Sequence, residues 1–320
     1  MQKKKLGKQG PEVSVVGFGA WEAGGESYGP NTSEGEVIEA IHAGLDAGID
    51  WIDTAEVYGN GVSEQIVGKA LQGRRDDVFL ATKVGPKPEG SGFAPDEIRR
   101  ACEASLERLQ TDRIDLYQLH WPDSSGVSLQ ETWEAMAGLV EEGLVGSIGV
   151  SNFPVPFIEQ CMAIRHVDSL QPEFSLLYLE LRDVITWCGE QGIGVVAYGP
   201  LAFGLLTGAL DATTEYHPKD WRSGQQGEAG YYARLFKSGK IERSLAVVDG
   251  LRPIAGRLGC TVAKLALAWT FHQEGVTSAI AGSRNPKHVR ENAEAGDIEL
   301  DEETLAEIDA LVPLGPDYGG

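Results

Sequence analysis

The chain has 320 residues and 34.4 kDa, with 42% hydrophobic and 23% charged residues, an ordinary globular composition long enough to bury a large core without covalent staples. Its net charge of −21 repels phosphate backbones and anionic lipid surfaces, which argues against a nucleic-acid or membrane partner. Four widely spaced cysteines (Cys102, Cys161, Cys188, Cys260) form no Cys-x-x-Cys pair and read as small apolar residues in a reducing compartment.

In chain order, MQKKKLGKQG carries the positive charge of a signal n-region but no apolar stretch follows it, and no later apolar run is long enough for a membrane span, so a cytoplasmic protein is expected. KKKLG, a Lys-Gln-Gly turn and EVSVVGFG predict a short β-hairpin. Short apolar runs then alternate with amphipathic helical stretches. Strands are predicted over 13–18, 49–53, 78–84, 114–120, 147–150, 169–172, 194–198 and 278–281. Helices are predicted over SEGEVIEAIHAGLDAG, DEIRRACEASLERL and SLQETWEAMAGLVEEG, with Gly48, Gly143 and Gly192 as C-terminal caps. This alternation implies a parallel sheet, and eight such units match a closed (β/α)8 TIM barrel in one domain over 1–320. A doubly wound open sheet is the runner-up. It would carry a glycine-rich dinucleotide fingerprint, but Gly17 and Gly19 are followed by Ala20, Trp21 and Glu22 without the third glycine. One long segment after the seventh strand, 202–240, breaks the rhythm. It is glycine-rich and polar but holds Tyr216, Trp221, Tyr231, Tyr232 and Phe236, which predicts a lid beside the cleft.

Four polar residues stand where buried strands run out. Asp53 closes IDWID, Tyr58 follows in TAEVY, Lys83 closes VFLATK, and His120 closes IDLYQLH. In a parallel barrel all carboxyl ends face one way, so these four converge. A phenol is too weak an acid at neutral pH by itself, with a reference pKa of about 10, but a neighbouring ammonium stabilises its phenolate. Lys83 supplies that charge, Asp53 holds Lys83, and His120 hydrogen-bonds a substrate oxygen or relays a proton. Together they suit proton donation to a carbonyl oxygen that is becoming an alkoxide. The six histidines are scattered, so no metal site is expected and a bound organic hydride donor is the simplest electron source. Trp21, Tyr28 and Trp121 lie beside strand ends and are expected to line an apolar substrate pocket.

GFGAW, DTAEVYG with SEQIVGKAL, ATK, DLYQLHWPD, EEGLVGSIGVSNF and AGSRNPKHVRENAEA together resemble the aldo-keto reductases, in order and across essentially the whole chain. The resemblance implies a barrel that binds NAD(P)H in extended form without a Rossmann domain. By the family pattern Tyr58 is the general acid, Asp53 and Lys83 tune it, and His120 orients the carbonyl. Ser151, Asn152 and Gln171 contact the nicotinamide carboxamide, and Tyr198 stacks on the ring. The stretch 201–206, with Leu201, Gly204 and Leu206, follows the pyrophosphate. Ser283, Arg284, His288, Glu291 and Asn292 surround the adenosine end, where a helix start suits a phosphate. The chain departs from the pattern at Gly199, where many members have serine. Many NADPH-specific members have lysine at Gly282 and arginine at His288, so the expected cofactor is NADPH with NADH as a weaker one. The resulting expectation is NADPH-dependent reduction of small aldehydes or ketones. Two readings compete with it. One is a nucleotide-binding barrel that regulates a partner, and the other is an isomerase or aldolase with Lys83 as Schiff-base amine. The oligomeric state is left open.

Overall fold

The computed structural model describes residues 1–25, 33–85, 92–123, 126–211, 213–223, 231–236 and 239–312. The chain opens with an antiparallel hairpin of β1 (Lys3–Lys5) and β2 (Glu12–Ser14), in which Lys3 pairs with Ser14 and Lys5 with Glu12. The strand expected over 13–18 is therefore two strands. β2 belongs to the hairpin, and β3 (Val16–Gly19) belongs to the barrel. The break is held by polar contacts: the Ser14 hydroxyl donates to the Val16 carbonyl at 2.7 Å, and the Ser14 amide donates to Asp50 at 2.7 Å.

The remaining strands are β4 (Trp51–Asp53), β5 (Phe79–Val84), β6 (Ile114–Leu119), β7 (Val145–Ser151), β8 (Ser169–Gln171), β9 (Gly194–Ala197) and β10 (Val276–Ala281). With β3 they pair in parallel, in chain order, and β10 returns to β3 to close the barrel. The helices α1 (Glu34–Asp46), α2 (Val62–Ala70), α3 (Pro95–Leu109), α4 (Leu129–Glu141), α5 (Val155–Met162) and α6 (Arg182–Gln191) follow β3 to β8. α7 (Lys240–Leu258) and α8 (Val262–His272) lie between β9 and β10, and α9 (Pro286–Glu294) and α10 (Glu302–Asp309) complete the chain's helices.

The helices form where an apolar stripe meets terminal signals. α3 buries Ile98, Ala101, Cys102, Ser105, Leu106 and Leu109, the three-and-four spacing of one helix face. α1 starts at Ser33, whose hydroxyl accepts the Glu36 amide while the Glu36 carboxylate accepts the Ser33 amide. Such a cap contributes about 1 kcal/mol. Gly48, Gly143 and Gly192 all have positive φ at or just past helix ends, as expected of C-terminal caps.

Two apolar layers result. The larger lies between strands and helices and includes the fully buried Trp133, Trp269 and Tyr117. The smaller plugs the barrel with Leu6, Val13, Trp51, Ala81, Leu116, Val196 and Ile280. The hairpin supplies Leu6 and Val13, so it stoppers the amino end. Trp51 is the plug's largest member, and its indole N–H donates to the Ser14 carbonyl and the Ser278 hydroxyl, both at 3.1 Å. A Cβ on Gly17 would sit 2.1 Å from that indole, so the glycine in β3 makes room for it. Cys102, Cys161 and Cys188 are buried free thiols pushed up to about 12 by desolvation, which leaves them unreactive packing groups. Among the described residues no helix is long and apolar enough to cross a membrane, and no group of three or more His, Cys, Asp or Glu is arranged to hold a metal ion.

Candidate active site

The plug fills the amino end and the middle of the barrel, and the carboxyl end is polar. Asp53 pairs with Ala81 across β4 and β5, so Lys83, two residues on, points inward on the same face one step higher. Its ammonium donates to Asp53 Oδ1 at 2.6 Å, to the Thr54 carbonyl at 2.9 Å and to the Tyr58 hydroxyl at 3.2 Å. All three N–H bonds are thereby directed at protein oxygens. Lys83 is fully buried and does not border the cleft, so its amine does not face the space a Schiff-base substrate would occupy. Burial draws its ammonium below the ordinary lysine range, and the Asp53 charge and hydrogen bond pull the other way. Each Asp53 oxygen is engaged, because Oδ2 accepts the Gln171 side-chain amide at 2.8 Å. That bond is absent from the sequence expectations.

Tyr58 stands on the turn after β4, which is pinned at both ends. The Thr54 and Ser63 hydroxyls lie 2.8 Å apart, and Ser63 donates to the Ala20 carbonyl at 2.7 Å. Glu56 accepts the Gly85 amide at 2.9 Å, which ties the turn to the end of β5. His120 follows β6, its ring edge-on to Tyr58 with centroids 5.6 Å apart and stacked on Trp121 at 3.7 Å. Burial and the Lys83 charge hold its imidazole well below the ordinary histidine range, so it is neutral at physiological pH. Among the described residues its Nδ1 has no hydrogen-bond partner. A proton on Nε2 leaves only an acceptor unpaired there, which costs less than a stranded donor.

Ser151, Asn152, Gln171 and Tyr198 come together beside these groups. The Ser151 hydroxyl donates to the Gln171 carbonyl at 2.8 Å, and the Asn152 amide donates to Ser151 Oγ at 3.1 Å and to the His120 carbonyl at 3.2 Å. The Tyr198 hydroxyl donates to Asn152 Oδ1 at 3.0 Å. Asn152 has φ of 61°, a strained value for a residue other than glycine, and these bonds hold it there.

These residues form one end of a cleft of about 1640 Å³. Its other end is the start of α9, where Ser283, Arg284, His288, Glu291 and Asn292 border it. Leu201 and Gly204 border the middle. Leu206 does not: left-handed turns at Phe203 and Gly204 redirect the chain, and Leu206 is buried in the core. Trp21 and Trp121 border the cleft, and Tyr28 lies outside the described residues. Of the segment expected as a lid, residues 212, 224–230 and 237–238 and the side chains of Tyr231 and Tyr232 lie outside the described residues. Phe203 and Trp221 from the 202–240 segment pack with Trp21 at centroid distances of 6.2 and 6.4 Å, while Tyr216 and Phe236 pack behind them. The described residues Phe203, Thr207, Leu210 and Arg222 of this segment border the cleft, and its aromatics Trp221, Tyr216 and Phe236 pack on one another. Among the cleft residues that the sequence reading did not single out, two carry opposite charges near its adenosine-side end, Glu22 and Arg222. Glu22 is next to Trp21 and detectable by that adjacency. Arg222 carries no local signal. The departure at Gly282 has a steric cause: a Cβ there would lie 2.2 Å from the Gly19 carbonyl, so β10 and β3 approach too closely for any side chain.

Residues 15–313 match the model of the aldo/keto reductase family. The aldo-keto reductase YhdN of Bacillus subtilis is 34% identical over 99% of this chain and 97% of its own. The glycerol dehydrogenase AKR11B4 of Gluconobacter oxydans superposes with a TM-score of 0.85 at 30% identity, over 98% of this chain and 97% of that one. An aldo/keto reductase of Klebsiella pneumoniae, solved in complex with NADP and acetate, gives 0.75 at 33% identity, over 99% and 97%.

Proposed function

The chain belongs to the aldo/keto reductase family, which makes it an NAD(P)H-dependent oxidoreductase, and from that premise we propose that it reduces an aldehyde or ketone to the alcohol with NADPH, Tyr58 acting as the general acid. The observation that carries the reading is the chain of contacts from Asp53 to Lys83 at 2.6 Å and from Lys83 to the Tyr58 hydroxyl at 3.2 Å, at the floor of the cleft.

The residues present fit an extended dinucleotide. The cleft exceeds what a small carbonyl compound needs, roughly 300–1,000 Å³ for drug-sized ligands. A hydrogen-bonded amide cluster lies at one end, and a guanidinium beside a helix N-terminus at the other. Ser151, Asn152 and Gln171 would hold the nicotinamide end with Tyr198 against its face, Leu201 and Gly204 the middle, and Ser283, Arg284, His288, Glu291 and Asn292 the adenosine end. The Klebsiella relatives solved with NADP and with NADPH support that cofactor here. The reduced nicotinamide, when bound, supplies the hydride.

This chain's own residues then manage one proton. The Tyr58 phenol donates to the carbonyl oxygen as negative charge develops there, and the phenolate left behind faces the Lys83 ammonium. Asp53 fixes that ammonium, and Gln171 fixes Asp53. Neutral His120, firmly held by its stack on Trp121, donates a hydrogen bond to the same oxygen and sets the carbonyl's approach. Trp21, Trp121 and Phe203, which border the cleft, would keep water from the reacting face and favour substrates with an apolar body. The test is oxidation of NADPH by an activated aromatic aldehyde with formation of the matching alcohol. Turnover with alcohol produced supports the reading, and nucleotide binding without turnover across a panel of carbonyl compounds refutes it.

A further inference from the structure

We propose that Glu22 is a specificity-determining residue that weakens the cleft's hold on a 2′-phosphate and so limits its preference for NADPH over NADH. This rests on the proposed placement of the adenosine end at the start of α9, where the Arg284 guanidinium would grip the 2′-phosphate. Glu22 lies in the single turn Trp21–Gly24 that follows β3, and it borders the same cleft as Arg284. Its Oε2 is 3.6 Å from Arg284 Nε, and the two side chains are 28% and 30% exposed. The carboxylate also accepts the Arg284 backbone amide. The seat that a phosphate would take at this guanidinium is therefore already shared with a carboxylate of the protein.

The neighbouring charges do not relieve the competition. Arg222 faces Glu22 from the 202–240 segment, but its guanidinium forks onto Asp220 at 2.9 and 2.6 Å. Burial pushes the Glu22 carboxyl above its ordinary range while the Arg284 and Arg222 charges pull it back, and in its ionised form Glu22 with Arg284, Arg222 and Asp220 sums to zero. Glu36 and Glu39 of α1 border the cleft as well, but they are exposed and screened by solvent. Glu291 of α9 is half-buried and adds a further carboxylate, and His288 is exposed. A 2′-phosphate brings close to two negative charges into this balanced group. A ribose hydroxyl brings none and can donate to a carboxylate. Glu22 thus costs the phosphorylated cofactor binding strength that it does not cost the other. Removing its charge leaves the group at one net positive charge.

The ligands for the test are adenosine 2′,5′-bisphosphate and adenosine 5′-monophosphate. They are titrated calorimetrically into wild type, Glu22→Gln, Glu22→Ala and Arg284→Ala at low and at physiological ionic strength. Either Glu22 variant should bind the bisphosphate about tenfold more tightly and the monophosphate almost unchanged, the size expected of one carboxylate near a phosphate in a solvent-lined cleft. The gain should shrink with added salt. Arg284→Ala should weaken the bisphosphate selectively. If Arg284→Ala does so and both Glu22 variants leave the bisphosphate-to-monophosphate ratio unchanged or lower, the role of Glu22 is wrong and the seat stands. If Arg284→Ala leaves the ratio unchanged, the seat itself is misplaced and the inference falls with it.

Discussion

Replacing Lys83 by methionine tests the electrostatic core of the site, because it keeps the side chain's length and removes its charge. Lys83 Nζ is 3.2 Å from the Tyr58 hydroxyl. At an effective dielectric of about 20, the ammonium–phenolate attraction over that distance is about 5 kcal/mol, an upper bound because Tyr58 is only half-buried. Losing it makes the phenol a weaker acid, and reduction should slow by ~10²–10⁴-fold, the usual worth of general acid catalysis. Reduction needs the phenol protonated, so it falls as pH rises. The pH of that fall should move upward in the variant. The substitution also strands Asp53, which is 3% exposed, with Gln171 as its remaining side-chain partner, at a cost of about 3–5 kcal/mol. Adding Asp53→Asn removes the stranded charge and separates the two effects. The double variant should regain thermal stability without regaining turnover. The assays are steady-state reduction across pH and thermal unfolding of both variants. A Lys83→Met enzyme with the wild-type pH profile would refute the role given to the ammonium.

Further outcomes follow from the same geometry. His120 has a folded-state pKa far below its unfolded one, so the unfolded chain binds the extra proton, and its stability contribution is complete above about pH 6.5 and lost as pH falls from there, by about 1.4 kcal/mol per pH unit. Chemical denaturation of wild type and His120→Gln between pH 7 and 5 should show a steeper acid-side loss in wild type, and parallel curves would count against a buried neutral imidazole. Gly282→Ala should destabilise by about 1–3 kcal/mol through its clash with the Gly19 carbonyl, and Gly282→Lys should do so without strengthening NADPH binding. An unchanged melting temperature for Gly282→Ala would show that β10 and β3 part easily. Arg284→Ala should lower the NADPH-to-NADH ratio of kcat/KM by at least about tenfold, as loss of a charge-assisted phosphate contact requires. A constant ratio would place the 2′-phosphate elsewhere.

The barrel and the four polar residues at its mouth were legible because both depend on local pattern. Strand ends marked by Asp53, Lys83 and His120 need only alternation and parallel pairing to converge. Helix ends marked by Gly48, Gly143 and Gly192 need only the left-handed cap. The errors arise where the decisive partner is remote in sequence. The run 13–18 is uniformly strand-like, and only its different partners, β1 for one half and β10 with β4 for the other, divide it. Leu206 lies in a stretch that borders the cleft at Leu201 and Gly204, but the turns at Phe203 and Gly204 turn it into the core. The Gln171–Asp53 bond spans 118 positions and the Arg284–Glu22 pair spans the barrel's closure, so no window of sequence contains either. Arg222 could not be placed because its neighbour Trp221 is seated by a stack on the sequence-distant Trp21 and not by any local periodicity.

The central claim is that the Tyr58 hydroxyl gives its proton to the substrate's carbonyl oxygen. Tyr58→Phe deletes that one oxygen and leaves the ring, the cleft wall and Lys83's bonds to Asp53 and Thr54 in place. The measurement is the rate of carbonyl reduction by this variant, paired with fluorescence titration of NADPH. The account predicts reduction lowered by ~10²–10⁴-fold with NADPH affinity within about twofold of wild type. Near-normal turnover with intact binding would contradict it.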